Sequence, residues 1–420
     1  MEERMATQIV ESLRKGIPPM RGVDKYSVGN EKLIQGIKKY QLNGIKERGI
    51  IRFLSGSWGS GKTHFFRLLK EVAFQNECLV SNVQLNADDA ALNKFERVFY
   101  SIIRSISTPE YFSENSVYET APFGRVLQET LAYLATGNRS INNIYSHEEY
   151  VKAREILMRD RSIDIDFKKI VHKYWETFLP EAPDIALQEQ NRAEILQWFS
   201  GEGSVVMYRR RFDVNKIVNK ENAKIMLQSL AGFVRLSGYE GLVILFDEAE
   251  QAYSIMRKSS LRDAHNNLLS LINNIESLNG LFLIYATTPD FFTDPKHGII
   301  IYGALQGRIG KPEQRKPRAL DFIWNFDEVE TELPNYQTAA ENIRNIYAIA
   351  YPEASAELPS EPEINTFVEE LFNIHPTLGG VRFWRVLVTA LIAHLDDYLE
   401  GEIRTTETVY GDVMDRLRED

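Results

Sequence analysis

Gly56-Ser57-Trp58-Gly59-Ser60-Gly61-Lys62-Thr63 is the stretch that decides the fold of this chain, because it matches the phosphate-binding pattern G-x-x-x-x-G-K-[ST] at every position. The apolar run before it, residues 50–55, predicts a buried strand, and the apolar residues after it recur at helical spacing. Glycines let such a loop turn its N–H groups toward phosphate oxygens, and the helix N-terminus adds partial positive charge. The strand, loop and helix therefore predict a nucleotide site, in which Lys62 reaches the β- and γ-phosphates and Thr63 holds Mg²⁺.

A second segment, Leu242-Val243-Ile244-Leu245-Phe246-Asp247-Glu248, is a run of five apolar residues that ends in two acids. A strand that is buried in a parallel sheet has such a continuous apolar run, and ligands of open α/β sheets bind at the carboxyl ends of strands. Asp247 is therefore predicted to order the Mg²⁺ shell, and Glu248 to orient and deprotonate an attacking water. The alternative is that the two acids simply end a strand in solvent, but the loop at residues 56–63 favours the catalytic interpretation.

A third apolar run, residues 281–286, ends in Thr287-Thr288-Pro289 and predicts another buried strand with hydroxyl groups at its carboxyl end. A polar side chain there can lie between the acidic strand and the γ-phosphate and hold the lytic water. Thr287 or Thr288 is therefore predicted to be this side chain, which acts as a sensor of the γ-phosphate. These hydroxyl groups could instead cap a helix that begins near Pro289, and both roles could hold together.

Two later segments offer arginines to a bound nucleotide. Arg308 ends the segment 303–308 and is followed by further basic residues, whereas Arg382 belongs to Gly379-Gly380-Val381-Arg382-Phe383-Trp384-Arg385, which opens an apolar helix. An arginine beside the γ-phosphate stabilises charge in the transition state and can come from a neighbouring subunit. Arg308 therefore suits the role of an arginine finger, which reaches the nucleotide of a neighbouring subunit in a homo-oligomer. Arg382 suits the role of a residue on a helical lid that senses the bound nucleotide. A solvated or salt-bridged arginine is the alternative in both cases.

The bulk composition limits the classes of function. A chain of 420 residues can hold two or three domains, and its net charge of −10 means that any contact with duplex DNA must come from a local basic patch. The single cysteine, Cys78, excludes an internal disulfide and a cysteine-rich metal site, and it is interpreted as a core residue. No stretch approaches the ~20 apolar residues of a membrane span, and the N-terminus lacks the apolar core of a signal peptide. We expect a cytoplasmic protein that does not contact membranes.

The spacing of the motifs predicts the organisation of the chain. Lys62 and Asp247 lie 185 positions apart, far more than a compact P-loop core requires. We therefore predict four parts: residues 1–106 with an N-terminal lead-in and the first part of the ATPase core, 107–219 as a mostly helical insertion, 220–330 with the second part of the core, and 331–420 as a helical lid domain. Further helices are expected at about 33–45, 91–106 and 221–236, and a second strand at about 79–85.

The predicted insertion carries a basic cluster, Arg209-Arg210-Arg211. This cluster is the candidate for a contact with the phosphate backbone of DNA. Charge runs are more often solvated faces, and that interpretation stands beside the functional one.

These features together resemble the AAA+ class in its origin-recognition-like branch. The resemblance rests on Val28-Gly29-Asn30-Glu31 ahead of the loop, on Asp247-Glu248, on the sensor strand and on the two arginine segments. The chain is similar still more closely to the BrxC/BrxD family of ATP-binding proteins of BREX bacteriophage-defence systems, and to its smaller, BrxD-like branch. The segments that carry this similarity are 52–69 and 245–250.

The resemblance implies an α/β fold with a P-loop AAA+ type parallel sheet flanked by helices, a large helical insertion and a C-terminal helical lid. It implies an ATPase of bacterial defence that uses ATP and Mg²⁺ and works with a helicase-like or other defence-system protein. We count Val28 and His64, together with residues 56–63, among the nucleotide-binding residues. His64 is expected to pack or cap locally, not to transfer protons.

Three other functions compete with this interpretation. Asp247-Glu248-Ala249-Glu250 is like a helicase DEAx box, but the 21 residues from Thr287 to Arg308 are too few for a second α/β lobe. A small-molecule kinase would need neither the long insertion nor the acidic lid. A nucleotide-dependent switch or scaffold, which binds ATP to recruit a helicase-like partner with little turnover, has the same sequence features as a partner-gated ATPase.

Overall fold

The three predicted apolar runs form the centre of one sheet. The computed structural model describes residues 1–86, 90–114, 120–142, 144–180, 184–249, 256–329, 331–375 and 382–419. Its strands are β1 (Ile50–Ser55), β2 (Cys78–Gln84), β3 (Ile106–Ser107), β4 (Gly241–Asp247), β5 (Leu281–Thr287) and β6 (Ile323–Asn325). Their order in the sheet is β3-β2-β4-β5-β1-β6. All neighbouring strands are parallel except β2 and β3, which are antiparallel. The carboxyl ends of β1, β2, β4 and β5 therefore meet at one edge.

Helices cover both faces of this sheet. In chain order, those that the described residues form are α1 (Glu3–Arg14), α2 (Glu31–Tyr40), α3 (Lys62–Gln75), α4 (Phe95–Ser105), α5 (Pro109–Glu114), α6 (Phe123–Thr136), α7 (His147–Arg159), α8 (Ile165–Glu176), α9 (Ile185–Phe199), α10 (Val205–Phe212), α11 (Ala223–Leu236), α12 (Lys258–Asn274), α13 (Asp290–Thr293), α14 (Gly303–Ile309), α15 (Leu333–Ala350), α16 (Glu361–Ile374), α17 (Phe383–Glu400) and α18 (Thr406–Glu419). None of these helices is long and apolar enough to cross a membrane.

The two faces of the sheet belong to two hydrophobic clusters. Successive side chains of a strand point to opposite faces, so each central strand contributes to both clusters. In β4, for example, Ile244 packs with α4, α6, α8 and α11, whereas Val243 and Leu245 pack with α3 and the C-terminal helices. Cys78 is fully buried in the second cluster, and burial raises the pKa of its thiol to about 12. Its interpretation as a core residue is confirmed.

The helices between residues 107 and 219 do not form a separate core. Apart from α5, whose Phe112 packs against the other cluster, they share one hydrophobic cluster with the sheet, α4 and α11. Two buried tryptophans fix them in place, since Trp175 Nε1 donates to the carbonyl of Leu127 at 2.8 Å and Trp198 Nε1 donates to that of Lys216 at 2.8 Å. This segment extends the sheet's own core, and the division of the chain at residues 106, 219 and 330 stays a prediction.

The N-terminal helix packs among the C-terminal helices. On α1, Ala6, Ile9 and Val10 are buried in the cluster that includes α15 and α17. Arg14 is paired with Asp396 on α17, with its Nη2 2.6 Å from Oδ1 and its Nε 2.9 Å from Oδ2. The two ends of the chain therefore build one helical region that lies on the α3 face.

The boundaries of some predicted elements differ from the structure. Helix α4 begins at Phe95, not near Ala91, because residues 92–94 form a turn in which Lys94 N–H donates to the carbonyl of Ala91 at 2.9 Å. Helix α2 ends at Tyr40, and a 3₁₀ turn at Leu42–Gly44 follows it. The short strands β3 and β6 had no prediction, since neither is long enough to show a periodic pattern.

Candidate functional site

The loop between β1 and α3 has the backbone that its glycines predict. Gly59 and Gly61 have φ values of 76° and 90°, in the left-handed region that glycine adopts without strain. Lys62, the first residue of α3, is only 8% exposed, and its Nζ donates to the carbonyls of Gly56 at 2.7 Å and Ser57 at 3.3 Å. The lysine therefore folds back over residues 56–61, which we call the P-loop.

Trp58 lies at the outer side of the P-loop. Its side chain is 66% exposed, and its ring centroid is 5.9 Å from Lys62 Nζ. Trp58 is therefore the exposed aromatic residue next to the lysine that would contact phosphate groups.

Thr63 and Asp247 come together beside the P-loop. Thr63 Oγ1 donates to Asp247 Oδ2 at 3.4 Å, and Asp247 is 5% exposed at the end of β4. Burial raises the pKa of Asp247, while the Glu248 N–H, Lys62, Thr63 and Arg67 each act in the opposite direction. A hydroxyl and a carboxylate with cationic neighbours form the small oxygen-donor set that Mg²⁺ needs when phosphates and waters complete its shell.

The backbone N–H groups of the site also fit a Mg²⁺-bound nucleotide. The N–H groups of Gly59, Gly61 and Thr63 make no hydrogen bond to a described residue, as the first N–H groups of a helix that faces an anion would. The described residues contain no cluster of three or more His, Cys, Asp or Glu that could hold a metal. Mg²⁺ does not require such a cluster, because one or two carboxylates and the substrate phosphates normally suffice.

Glu248 has an unusual backbone conformation directly after β4. Its φ is 56°, a left-handed value that costs free energy for a residue with a Cβ. Its N–H donates to Asp247 Oδ1 at 3.0 Å, which holds this turn. Burial and the adjacent Asp247 charge raise the pKa of Glu248, and Lys62 lowers it. The sequence predicted the position of this carboxylate but gave no sign of its backbone strain.

Thr287 and Thr288 end β5 beside the P-loop. Thr287 pairs in register with Ser55, and its carbonyl accepts the Gly56 N–H at 3.1 Å. Its Oγ1 is buried and has no hydrogen-bond partner among the described residues. Ala286 lies on the α3 face of the sheet, so alternation directs Thr287 to the opposite face, and Thr288 follows the last residue of the strand.

Asp327 joins the P-loop to Arg382, and the sequence did not identify it. It lies in the 3₁₀ turn Phe326–Glu328, directly after β6. Its Oδ1 and Oδ2 each accept the Ser57 N–H at 3.0 Å, and Oδ2 also accepts the Ser57 hydroxyl at 2.9 Å. Arg382 Nη2 donates to Asp327 Oδ1 at 2.6 Å. A Cβ added to Gly59 would lie 3.3 Å from Arg382 Cγ, so the arginine lies against the loop.

One signal could have found Asp327. The apolar residues Phe322, Ile323 and Trp324 precede the polar Asn325 and Asp327, which repeats the apolar-then-polar pattern of β4 and β5. The run is too short to be recognised as a strand by itself. Arg382 is described, whereas Gly379, Gly380 and Val381 of the same predicted motif lie outside the described residues.

Val28 and His64 lie where the segment before α2 meets the start of α3. His64 Nε2 is 2.7 Å from Ser27 Oγ, and its ring contacts Tyr26 edge-on with centroids 5.5 Å apart. Burial lowers the pKa of His64 to about 4, so the imidazole is neutral near pH 7. Val28 follows Ser27 and is half-buried. His64 therefore ties the residue before Val28 to the start of α3.

The remaining predicted residues do not contact the P-loop within the described part of the chain. Arg308 is exposed on α14, and no described residue pairs with it. In the basic cluster on α10, Arg209 Nε donates to Asn215 Oδ1 at 3.1 Å, and Arg211 contacts Asn191 and Glu194. Arg210 is exposed and has no described partner. The basic cluster is thus partly engaged in local contacts.

Comparison with known proteins identifies the family. The model of the family described as BREX system ATP-binding protein BrxC/D matches residues 1–413. The chain therefore belongs to this family, which implies a defence-related role in ATP binding. No curated protein and no solved structure matches the chain.

Proposed function

We propose that this BrxC/D family member is an AAA+-type ATPase of a bacterial anti-phage defence system. It binds and hydrolyses Mg-ATP to drive the assembly or remodelling of a DNA-associated complex, together with a helicase-like or other protein of the system. One observation carries the proposal: Lys62, Thr63, Asp247 and Glu248 lie at one edge of the sheet, with Thr63 Oγ1 3.4 Å from Asp247 Oδ2.

The sheet order supports the AAA+ assignment. Strand β5 lies between the P-loop strand β1 and the acidic strand β4. A polar side chain at the end of β5 is therefore between the P-loop and Asp247, as a sensor of the γ-phosphate has to be. Arg382, at the start of a C-terminal helix, reaches the P-loop through Asp327. Residues 331–420 thus suit the role of a lid over the nucleotide at the P-loop.

Each residue of the site has a separate task. Lys62 offers its ammonium group to the β- and γ-phosphates, and Thr63 and Asp247 would hold Mg²⁺. When bound, Mg²⁺ supplies positive charge that offsets the charge of the phosphate oxygens. Glu248 takes the proton of the attacking water. Its raised pKa suits that task, since a base works best when its pKa lies near the operating pH.

We favour Thr288 over Thr287 as the sensor. Thr288 directly follows β5, at the edge of the sheet where Asp247 ends β4, and it is not held in the register of the strand. Thr287 is fully buried, and its Oγ1 is closed off from solvent in the described structure. A sensor has to reach a water molecule at the γ-phosphate, which Thr288 can do without a rearrangement of β5.

Arg308 is proposed as an arginine finger that acts in trans. Its exposure and lack of a described partner suit an arginine that is offered to a second subunit. The assignment predicts an ATP-dependent homo-oligomer that Arg308→Ala disrupts. Sedimentation of the wild type and the variant with ATP and Mg²⁺ tests it, and a monomeric wild type at high protein concentration would overturn it.

The contact between Asp327 and Arg382 favours a second candidate function, a nucleotide-dependent switch. Asp327 links the P-loop to the start of α17, so a bound phosphate that competes for Arg382 would change how the lid is held. The chain would then bind ATP to recruit a helicase-like partner, with little turnover.

Steady-state phosphate release separates the two candidates. Wild type and Lys62→Ala are compared, each with and without duplex DNA, and Asp321→Asn serves as a control at an acid away from the P-loop. Turnover in the wild type and the control, lost in Lys62→Ala, supports the ATPase. ATP binding without turnover under every condition supports the switch.

A further inference from the structure

A pocket that has no assigned function lies beside α12. Its volume is about 780 Å³, and it is lined by Met256, by residues of α12 and by residues of the segment between α13 and α14. Its polar lining residues are Lys258, Arg262, His265, Lys296, His297 and Tyr302. None of the described residues that line the pocket is acidic.

The cations of this pocket are available to a ligand. Lys258, Arg262 and Lys296 are exposed, and none of their side chains is paired with a described residue. Two acids on the same segments have contacts of their own: Asp294 accepts the N–H groups of Lys296 and His297 with Oδ1 and lies 3.5 Å from His297 Nδ1 with Oδ2. Asp263 Oδ2 is 3.9 Å from Lys220 Nζ. In a chain with a net charge of −10, three cations that pair with no described residue form a local site of opposite sign around one cavity.

The pocket also has a fixed aromatic wall. Tyr302 lies parallel to His265, with ring centroids 6.3 Å apart and an angle of 3° between the planes. The Tyr302 hydroxyl donates to Asn266 Oδ1 at 2.8 Å, and His265 is 1% exposed. The position of the Tyr302 ring is therefore fixed by its contact with His265 and by the hydrogen bond of its hydroxyl. A ring that is fixed in this way is suited to stack with the flat ring of a ligand.

We propose that this pocket binds single-stranded nucleic acid. Lys258, Arg262 and Lys296 contact successive phosphates, and one base enters the cavity against Tyr302. A cavity of about 780 Å³ matches the size of a nucleotide-sized ligand. A base in a duplex is paired and stacked, so it would have to leave the helix to enter. The combination of cationic side chains with a stacking ring is what single-strand sites use.

The position of the pocket links it to the proposed ATPase. Tyr302 directly precedes α14, the helix that bears Arg308. If Arg308 acts across a subunit boundary, bound nucleic acid lies near that boundary. The inference deepens the proposed function in this respect only, since nucleic-acid binding itself needs neither ATP nor hydrolysis.

Fluorescence anisotropy of a labelled 20-nucleotide oligothymidine tests the site, with the full chain and without nucleotide or Mg²⁺. The double variant Arg262→Ala/Lys296→Ala removes two exposed cations, and Lys32→Ala/Lys39→Ala removes two exposed cations from α2 as a matched control. We expect the pocket variant to bind roughly tenfold more weakly at low salt. The slope of log K against log salt concentration should fall by about 1.4, because each phosphate contact on a single strand contributes about 0.7. The control should bind as the wild type does.

Three further measurements test which ligand binds and where it binds. A duplex of the same length should bind more weakly than the single strand, and AMP at millimolar concentration should displace the strand only weakly. Tighter binding of the duplex, or full displacement by AMP, would overturn the single-strand assignment. Equal binding by the pocket variant and the wild type would overturn the site, and a loss in Arg209→Ala/Arg210→Ala alone would move it to α10. None of these outcomes depends on ATP turnover, so the ATPase proposal is tested separately.

Discussion

We expect substitutions of Asp327 and Arg382, which form a pair beside the P-loop, to change the affinity for ATP in opposite directions. Asp327 places a negative charge one hydrogen bond from the P-loop, 3.0 Å from Ser57 N, and it also holds Arg382 at 2.6 Å. Asp327→Asn keeps an acceptor for Ser57 but removes the charge and releases Arg382 toward the phosphates. Both effects favour a bound triphosphate. Arg382→Ala removes a cation and leaves the Asp327 charge uncompensated, so both of its effects disfavour the triphosphate.

The size of the effect follows from the charges and their exposure. We take the charge of Asp327 or Arg382 to lie about 8 Å from a charge on the bound phosphates. Two such unit charges interact with about 0.5 kcal/mol in water and about 2 kcal/mol at an effective dielectric constant of 20. Because the side chains of Arg382 and Asp327 are 42% and 23% exposed, solvent screening favours the lower part of that range. We expect about 0.5–1 kcal/mol, which is a two- to fivefold lower Kd for Asp327→Asn. The Kd of Arg382→Ala should rise by at least the same factor.

Calorimetric titration with a non-hydrolysable ATP analogue and Mg²⁺ measures these constants without turnover. Arg315 and Asp321 provide a matched control, because Arg315 Nη2 is 2.8 Å from Asp321 Oδ1 and neither residue contacts the P-loop. Asp321→Asn and Arg315→Ala should leave Kd unchanged. The reasoning fails if Asp327→Asn and Arg382→Ala change Kd in the same direction, since the pair would then only support the fold.

Three other predictions concern the same site. Lys62→Met keeps the length of a buried side chain but loses its ammonium group, so ATP should no longer raise the Tm in differential scanning fluorimetry; a shift equal to that of the wild type would contradict the role of Lys62. Trp58 is exposed at the P-loop, whereas Trp175, Trp198 and Trp324 are fully buried and Trp384 is half-buried two residues from Arg382. In a Trp384→Phe background the change in tryptophan fluorescence on ATP binding should therefore disappear in Trp58→Phe, and its persistence would assign the signal elsewhere. Burial and the Asp247 charge raise the pKa of Glu248, so its carboxylate takes up a proton at a higher pH than an ordinary glutamate. The kcat/KM for ATP should therefore fall on the acid side at a pH clearly above about 4.3, and an acid limb at or below that value would exclude Glu248 as the base.

The sequence predicted the parts of the fold that long apolar runs and glycines determine. Strands β1, β4 and β5 lie where the runs lie, and Lys62 opens α3 as the motif requires. The sheet order did not follow from the sequence, because it depends on how strands far apart in the chain pair. Asp327 was missed for the same reason: it lies 270 positions from Ser57, which it contacts, and no local pattern joins them.

Other features depend on packing that a sequence does not display. The spacing of the motifs predicted a mostly helical insertion at residues 107–219 but did not show that its helices share the hydrophobic cluster of the sheet. The basic residues Arg209 and Arg211 form a run in sequence, but their partners come from positions 191, 194 and 215. Two cations of the pocket beside α12, Lys258 and Arg262, lie one turn apart on that helix, and the third, Lys296, comes from a later segment. Charge clusters of this kind become visible only when the chain is folded.

We propose that Glu248 drives hydrolysis of ATP held by Lys62, Thr63 and Asp247. The most direct test incubates wild type and Glu248→Gln with ATP and Mg²⁺, removes free nucleotide and identifies by chromatography what each protein retains. We expect the wild type to convert its ATP to ADP and phosphate, and Glu248→Gln to retain intact ATP with equal stoichiometry. Conversion of ATP to ADP by Glu248→Gln at the wild-type rate would contradict the account.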